Sequence, residues 1–312
     1  MRRVLILGDL IRDSYRFIKV ERTAQEAPIP IWDVERSEDR LGGCGNVVNN
    51  FHSLVGKDVE VFAAGIADRQ TIGLLDQMGV DTRLCVLVPP ELAIVKERYV
   101  GESNTYLARV DNRRRFLDRD IESFQAHFRT MVSSPRIDFD ALIVSDYDKG
   151  SVNASILDQV RSIPIRIVDS KRLDLRIFSG FSVLKLNIDE YSKQVSSRLY
   201  GNSSIEEFFE YCVVTQGHLP TLLKQFDRFR SRLISSSFSS TMYIVHSEEF
   251  PVKSMGDSFI DVTGCGDTHT AALAKVLVDG GEIRSAISFA NMCSSSVACK
   301  FGTSRCDSRE VS

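Results

Sequence analysis

The sequence predicts an α/β fold with a mostly parallel central sheet. Short apolar runs recur along the chain, and polar turns and segments with helical spacing follow them. Strand, turn and helix repeated at short intervals are typical of βαβ units, which place strands in parallel through right-handed crossovers. The apolar runs lie at 4–7, 59–64, 141–144, 165–168 and 183–186. A chain of 312 residues can hold one large domain of this class or two smaller ones.

Composition argues against several other classes. The net charge of −3 favours neither nucleic acid nor an anionic membrane as a partner. No apolar run approaches the roughly 18 residues of a membrane helix, and the run after Met1 is too short for a signal peptide. The seven cysteines and five histidines are scattered, which indicates reduced thiols and no metal cluster. We therefore expect a cytoplasmic protein.

The first third of the chain combines a strand with a polar excursion. Asp9 and Asp13 follow the first apolar run, at the edge where open α/β sheets bind ligands, although each could be a solvated loop acid. Residues 14–40 contain prolines that exclude a helix, so we predict short strands that form part of a lid. Residues 41–46 (LGGCGN) then open a helix at 47–55, where the glycines either admit a small ligand or simply form a turn.

Further strands are predicted at 84–88, 93–100 and 106–110. They carry Lys96, Arg98 and Arg109, which could meet an anionic substrate or lie solvated on an outer face. Helices are predicted at 72–78, 120–131 and 151–160. Three strand ends then present acids or amides to one rim of the sheet, at 145–150 (SDYDKG), 169–171 (DSK) and 187–190 (NIDE).

Residues 200–252 have the weakest pattern. Residues 205–214 fit a helix, or their end fits a strand at 212–215. Residues 220–232 have helical spacing, and the serine run that follows is either a linker or a ligand-facing loop. Residues 242–252 resemble a hairpin around Glu248 and Glu249.

The most informative stretch is 260–268 (IDVTGCGDT), a glycine-bearing turn that leads into an apolar helix at 270–278. A last helix is predicted at 283–299. Glycines let backbone N–H groups approach a ligand, and a helix N-terminus offers unpaired donors that suit phosphate. Asp267 lies beside the place where a phosphoryl group would bind, which suggests phosphoryl transfer. The alternative is a turn in which Asp267 merely caps a helix.

Taken in this order, the motifs resemble those of the ribokinase-like (pfkB) carbohydrate kinases, and most nearly the heptose-7-phosphate kinase group. Residues 42–46 stand where the family has G-G-x-x-N, and 261–267 (DVTGCGD) resembles its second signature, D-T-x-G-A-G-D. The other matching segments are the first strand with Asp13, the Pro-rich lid entry at 26–30, the three polar strand ends, and residues 289–291 and 300–304.

The resemblance implies a three-layer α/β/α sandwich, a single domain over 1–312 with a small β lid inserted at about 14–40 and 84–111. It implies a homodimer formed through that lid. It also implies an ATP- and Mg²⁺-dependent kinase that phosphorylates the anomeric hydroxyl of D-glycero-D-manno-heptose 7-phosphate, giving the 1,7-bisphosphate for ADP-heptose synthesis. Because the sequence ends at Ser312, we expect only kinase chemistry and not the nucleotidyltransferase reaction of bifunctional relatives.

The resemblance also assigns roles to the phosphoryl-transfer residues. Asp267 would take the proton of the attacking hydroxyl. The N–H groups of Gly264, Cys265 and Gly266 would stabilise the transferring phosphoryl group. The nucleotide-side residues implied are Lys171 near the phosphates, Asn187 and Glu190 placing Mg²⁺, with Glu190 acting through water, and Asn291 beside the adenine.

On the substrate side, the resemblance implies two groups of residues. Those that hold sugar hydroxyls are Asp13, Gly42, Gly43 and Asn46. Those that meet the substrate's own 7-phosphate are Lys96, Arg98 and Arg109.

The sequence departs from the family pattern at a few points. Cys265 stands in place of alanine, and Ser170 in place of proline. The nucleotide loop that normally reads T-x-G has two candidates: 213–217 (VVTQG) stands early, whereas 233–237 (LISSS) is closer to the next hairpin and is slightly preferred. Two alternative functions therefore stay open: a kinase for another sugar, sugar phosphate or nucleoside, and a non-catalytic sugar- or nucleotide-binding protein.

Overall fold

The computed structural model describes residues 1–112, 115–133, 137–197, 199–200, 205–226, 245–252 and 260–311. The strands are β1 (Arg2–Gly8), β2 (Leu10–Thr23), β3 (Pro30–Gly43), β4 (Val59–Ala64), β5 (Ile66–Ala67), β6 (Val86–Leu87), β7 (Ile94–Val100), β8 (Tyr106–Asp111), β9 (Ala141–Asp146), β10 (Ile165–Ser170), β11 (Val183–Asn187), β12 (Tyr211–Gln216), β13 (Leu219–Phe226) and β14 (Val245–Phe250). The α-helices are α1 (Cys44–Leu54), α2 (Arg69–Asp76), α3 (Asp118–Ser133), α4 (Ala154–Asp158), α5 (Ile188–Ser196), α6 (Cys265–Val278) and α7 (Ile283–Ala298).

Eight strands form the central sheet, in the order β14-β13-β12-β11-β10-β9-β1-β4. Neighbours from β4 to β12 run parallel, whereas β13 and β14 are added antiparallel at the opposite edge. All six residues of β9 are buried, as expected for a parallel strand that is covered on both faces. The predicted α/β class with a mostly parallel sheet is confirmed.

Apolar cores lie on both faces of this sheet, because successive residues of a strand point to opposite sides. Val4 and Ile6 belong to a core shared with α1, α6 and α7. Leu5 and Leu7 belong to a second core, shared with α3 and α4. The sheet is therefore the middle layer of an α/β/α sandwich. The carboxyl ends of its parallel strands meet at one edge, which brings the predicted polar turns together.

A separate four-stranded sheet has the order β3-β2-β7-β8. Its two 14-residue strands, β2 and β3, cover the stretch that was predicted to lack helix. Before the second part of this sheet, residues 86–87 form β6, which pairs with β5, and the Val86 N–H donates to the Gly65 carbonyl at 2.9 Å. The small sheet resumes with β7 at Ile94.

Tertiary pairing overrides the local pattern between 205 and 252. The helix predicted at 220–232 is wrong for its described part, since Leu222 and Leu223 of β13 pack into cores on opposite faces of the sheet. The hairpin around Glu248 and Glu249 is also wrong, because β14 runs through both residues and pairs with β13. The strand alternative for 212–215 is confirmed as β12. The serine-rich run lies outside the described residues.

Two helices start at residues other than those predicted from apolar spacing, because capping residues fix their first turns. The side chain of Asn153 accepts a hydrogen bond from the Ile156 N–H at 3.2 Å, so α4 begins later than the predicted 151. Helix α6 begins at Cys265, five residues before the predicted start, because Gly264 already stands at its N-cap. Across the described residues, no helix has the length and apolar character needed to cross a membrane.

Candidate active site

The turn before α6 is held by one carboxylate. Asp261 accepts hydrogen bonds from the Thr263 N–H at 2.9 Å and from the Gly302 N–H at 2.8 Å. Gly264 then takes a left-handed conformation with φ of 85°, which favours a residue without a Cβ. This local geometry starts α6 at the cleft and puts Asp267 in its first turn.

The carboxylate of Asp267 is buried, with 6% of the residue exposed. Its Oδ1 accepts a hydrogen bond from the Tyr147 hydroxyl at 2.7 Å, and its Oδ2 accepts one from Asn46 Nδ2 at 3.0 Å. Burial raises the pKa of Asp267 above its ordinary value, although these two hydrogen bonds act in the opposite direction. A carboxylate in this environment is a stronger base than one on the surface.

Asn46 connects the two glycine motifs of the sequence. It lies in the first turn of α1 and is fully buried. Its Oδ1 accepts a hydrogen bond from Asn50 Nδ2 at 3.1 Å, which orients its Nδ2 toward Asp267. The structure therefore places this predicted sugar-binding residue against the predicted catalytic base.

The predicted anion hole contains one donor that is already engaged. The Cys265 N–H donates to the Val262 carbonyl at 3.2 Å. The N–H groups of Gly264 and Gly266 have no hydrogen-bond partner within the described part of the chain. Cys265 lines a mainly apolar cavity together with Val252 and Val262, and burial raises the pKa of its thiol to about 12. Cys265 is therefore a small apolar wall of that cavity.

A buried cluster of charges lies on the other side of Asp267. Lys185, in the middle of β11, donates to Asp169 at 2.8 Å. The ammonium of Lys171 lies 2.6 Å from Glu190 and 3.4 Å from Asp169. Burial alone would lower the pKa of Lys171, but the two carboxylates outweigh it and raise the pKa. Lys171 therefore stays charged beside the cleft.

Asn187 and Glu190 form a capping box at the start of α5. Asn187 Oδ1 accepts from the Glu190 N–H at 2.8 Å, and Glu190 Oε2 accepts from the Asn187 N–H at 2.9 Å. Both predicted magnesium-placing residues thus have a demonstrated structural role. Within the described residues, no group of three or more His, Cys, Asp or Glu side chains could hold a metal ion.

Two adjoining cavities of about 250 Å³ each lie beside the buried lysines. Lys171 and Lys185 line one of them. One is polar at the end where Lys171, Lys185 and Asn187 line it; the other is mainly apolar, with Val262 and Ala298 in its wall. A cleft that changes from basic to apolar along its length suits a nucleotide, with phosphates at one end and base at the other. Gly217 lines both cavities.

Strand β12 includes residues 213–216 of the first candidate nucleotide loop, 213–217, and Gly217 follows it in this cleft. Residues 233–237, the slightly preferred candidate, lie outside the described residues. Asn291 also lines the cleft, but its side chain is occupied. Its Oδ1 accepts from Thr221 at 2.8 Å, and its Nδ2 donates to the Pro251 carbonyl at 3.2 Å.

The substrate-side residues lie where β2, β3 and β7 meet. Asp13 and Arg98 are both buried and paired at 2.7 Å. A Cβ on Gly42 would lie 2.7 Å from the Asp13 carboxylate, so only glycine fits against that side chain. The neighbouring Gly43 precedes α1. Lys96 is partly buried near Asp13 and Asp267, and burial is the main cause that lowers its pKa.

Arg109 pairs with Arg98 across β7 and β8, but its environment differs from that of the buried Asp13 and Arg98. It is exposed and paired with Asp111, with Nε 2.8 Å from the carboxylate. It does line a third cavity, of about 390 Å³, together with Arg98 and Thr263. Its predicted contact with a substrate phosphate therefore depends on a change of partner.

Sequence reasoning missed three residues of the site as functional candidates: Tyr147, Asp169 and Lys185. A signal existed for each of them. Tyr147 and Asp169 belong to polar strand ends, and Lys185 interrupts an otherwise apolar strand (VLKLN). A lysine in a central strand is rarely buried without a partner, and here Asp169 supplies it.

The fold and the site together define a phosphotransferase that acts on a hydroxyl group. A buried carboxylate lies at a helix N-terminus, at the edge where the carboxyl ends of the parallel strands meet. Two lysines that are ion-paired with other carboxylates lie nearby. The chain belongs to the pfkB family of carbohydrate kinases, since the family's sequence profile matches residues 1–310.

The relatives include "Bifunctional protein HldE" of a Nitratiruptor species, which is 29% identical over 316 residues and matches 99% of this chain and 64% of its own length. The protein of the same name from Helicobacter pylori is 25% identical over 321 residues, covering 100% of this chain and 66% of its own. The chain thus spans about two thirds of the length of these relatives.

Solved structures with the same fold include Burkholderia thailandensis nucleoside kinase in complex with inosine, with a TM-score of 0.69 and 14% identity, covering 100% of this chain and 96% of the other. Escherichia coli phosphofructokinase-2 in complex with substrates and products has a TM-score of 0.70 and 15% identity, covering 100% and 97%. The ribokinase-like fold predicted from the motifs is thereby confirmed.

Proposed function

We propose that this kinase transfers the γ-phosphoryl group of ATP to the anomeric hydroxyl of D-glycero-D-manno-heptose 7-phosphate. The observation that carries the proposal is the placement of Asp267. Its buried carboxylate accepts from the Tyr147 hydroxyl, and the Tyr147 ring lies 5.5 Å from Nζ of the nucleotide-side Lys171 and 4.9 Å from Nζ of the lid-side Lys96. A proton acceptor close to two cationic subsites suits transfer between two phosphorylated ligands.

In the proposed reaction, Asp267 accepts the proton of the sugar hydroxyl while that oxygen attacks the γ-phosphorus. Both carboxylate oxygens already accept hydrogen bonds, so the hydroxyl adds to this set or displaces one donor. The N–H groups of Gly264 and Gly266, at the positive end of α6, stabilise charge on the transferring group. Lys171 neutralises the phosphates.

Magnesium fits this site only as an ion brought by ATP. Glu190 is the nearest predicted ligand, but one of its oxygens pairs with Lys171 and the other accepts from the Asn187 N–H. Such an occupied carboxylate suits contact through water and not direct ligation, in keeping with the usual dependence of Mg²⁺ on phosphates and water. The ion would supply neutralisation of the phosphate charge.

The substrate assignment rests on the lid-side cations and on the relatives. Arg98 and Lys96 lie near Asp13, and Arg109 lines the cavity that Arg98 shares. These groups suit an acceptor that carries its own phosphate. The name of the HldE relatives is compatible with a heptose substrate.

The proposal is tested by ATP turnover on a matched panel of acceptors: heptose 7-phosphate, fructose 6-phosphate, ribose and inosine. We expect the heptose 7-phosphate to have the largest kcat/KM. A larger value for another acceptor would replace the substrate assignment. No turnover with any acceptor, together with retained ligand binding, would support a binding protein instead.

The variant Asp267→Asn tests the catalytic role. It should lower kcat by about 10²–10⁴-fold, the usual contribution of a general base, while ATP affinity measured by calorimetry stays close to the wild-type value. Asp279→Asn is the matched control, because Asp279 follows the far end of the same helix and pairs with Arg2 on the surface. Wild-type turnover in Asp267→Asn would refute the role.

We also propose a homodimer formed through the small sheet. Trp32 and Val34 alternate along β3 and are both exposed, at 37% and 55%, and Val20 is 48% exposed on β2. Exposed apolar side chains grouped on one sheet are typical of an interface. Val20 pairs with Trp32 across the two strands, so a second copy of the same sheet would cover these side chains together.

A further inference from the structure

We propose that Tyr147 is a positioning residue for the catalytic carboxylate: its hydroxyl orients Asp267 and keeps it ready to accept a proton. This inference rests on the proposed role of Asp267. The Tyr147 hydroxyl lies 2.7 Å from Asp267 Oδ1. A hydrogen bond to a charged acceptor is stronger than a neutral one, and it favours the charged form.

The loop that carries Tyr147 is fixed from within the protein. Asp9, which is fully buried, accepts hydrogen bonds from the N–H groups of Tyr147 at 2.8 Å, Lys149 at 3.0 Å and Ser151 at 3.1 Å. One interior carboxylate thus organises the whole turn after β9. The position of the Tyr147 hydroxyl is therefore set by the fold and not by chance contact.

The aromatic ring of Tyr147 lies close to both cationic subsites. Lys96 Nζ is 4.9 Å from the ring centroid and Lys171 Nζ is 5.5 Å from it. Both distances fall within the range of cation–π attraction. Tyr147 therefore contacts the lid-side lysine, the nucleotide-side lysine and the base at once. Its location is the point where acceptor and γ-phosphate must meet.

Burial and hydrogen bonding have opposite effects on the protonation of Asp267. Burial pushes the carboxylate toward its protonated form, in which it cannot accept a proton, and the Tyr147 hydroxyl opposes that tendency. Without the hydroxyl, Asp267 would keep the Asn46 hydrogen bond alone among its side-chain donors in the described residues. The protonated, inactive form would then persist to higher pH.

The variant Tyr147→Phe keeps the ring and removes the hydroxyl. We expect the acid limb of the kcat/KM profile for the sugar phosphate to move to higher pH. The ratio of wild-type to variant kcat/KM should be about tenfold larger at the acid end than at the alkaline end, the factor expected for one hydrogen bond to a charged group. The substrate's own titration is common to both enzymes and cancels in this ratio.

Tyr200→Phe is the matched control, because the Tyr200 hydroxyl donates to Gln194 Oε1 at 2.6 Å and contacts no residue of the site. Its profile should superimpose on the wild-type profile. A Tyr147→Phe profile that is lowered equally at every pH would overturn the inference, since that is the result of a merely structural role.

A second substitution keeps the test decisive if Tyr147→Phe does not fold. Replacing Tyr147 by 3-fluorotyrosine retains the hydroxyl and makes it a stronger donor, so the acid limb should move to lower pH. An unchanged or raised limb would contradict the inference. If Asp267→Asn retained full turnover, the proposed function itself would fail; if only the Tyr147 profiles failed to shift, the role of Asp267 would stand.

Discussion

Replacing Gly264 by alanine tests the geometry on which the site depends. Gly264 has a φ of 85°, and a Cβ at this position would lie 2.6 Å from Asn46 Nδ2. The change therefore introduces two separate perturbations: a left-handed conformation for a residue with a side chain, and a collision with the amide that bonds Asp267.

The free-energy cost of each perturbation can be estimated separately. A left-handed conformation costs a residue with a Cβ about 1–2 kcal/mol. Asn46 cannot withdraw without losing its 3.0 Å hydrogen bond to Asp267, and a hydrogen bond to a charged group is worth about 1.5–3 kcal/mol. The two effects together should lower the free energy of unfolding by about 3–5 kcal/mol, as measured by urea denaturation.

Gly180→Ala is the matched control, because Gly180 has the same φ of 85° and a Cβ there would meet no atom within 4 Å. It should lose only the conformational part, about 1–2 kcal/mol, and keep the wild-type kcat. Gly264→Ala should in addition lower kcat by about 10²-fold, because a displaced Asn46 no longer holds the Asp267 carboxylate in position for the substrate hydroxyl.

Equal losses of stability in the two variants, together with a wild-type kcat for Gly264→Ala, would refute this reasoning. That result would mean that Asn46 moves aside freely and does not position Asp267. The double variant Gly264→Ala/Asn46→Ala adds a further check, since removing the amide should relieve the collision and bring the stability loss below the sum of the two single variants.

Two further predictions concern stability and assembly. Burial lowers the pKa of His269 to about 3, from an ordinary value of 6.5, so the neutral folded histidine stabilises the protein above pH 6.5, and this contribution is lost as the pH falls toward 3. Between pH 7 and pH 4 the free energy of unfolding of the wild type should therefore fall by about 3 kcal/mol more than that of His269→Phe, since each pKa unit is worth about 1.36 kcal/mol. Urea denaturation measures both values, and an equal fall in the two proteins would contradict the assignment. For assembly, Val34→Glu places a charge on the exposed face of β3 and should convert the proposed dimer to a monomer in sedimentation equilibrium, while Glu35→Gln on the same strand should not. A wild-type monomer, or a Val34→Glu dimer, would exclude this interface.

Local features of the sequence predicted the central part of the fold well. The runs at 4–7, 141–144, 165–168 and 183–186 became β1, β9, β10 and β11, because an apolar strand buried on both faces has a pattern that needs no knowledge of its neighbours. The pattern failed in the described part of the predicted helix, 220–226, where strand pairing on both sides of β13 outweighed an accidental helical spacing.

The two glycine motifs were recognisable for a similar reason. Gly264 occupies a backbone conformation that few other residues adopt, and Gly42 lies against Asp13 where a Cβ does not fit. Such requirements act on single residues, so they leave a signature in the sequence itself. The thiol of Cys265 had no assigned role at that level, because its surroundings depend on tertiary packing.

By itself, the sequence determined the class of fold, the glycine turn and the helix that carries Asp267, since periodicity and backbone conformation are local properties. Tertiary structure decided what surrounds that carboxylate. Tyr147 lies 120 residues away in the chain and Asn46 lies 221 away, so no spacing rule could show that they donate to its two oxygens. Only the packing of β9 and α1 around the start of α6 brings these donors together, because side-chain hydrogen bonds depend on distances in space and not on separation along the chain.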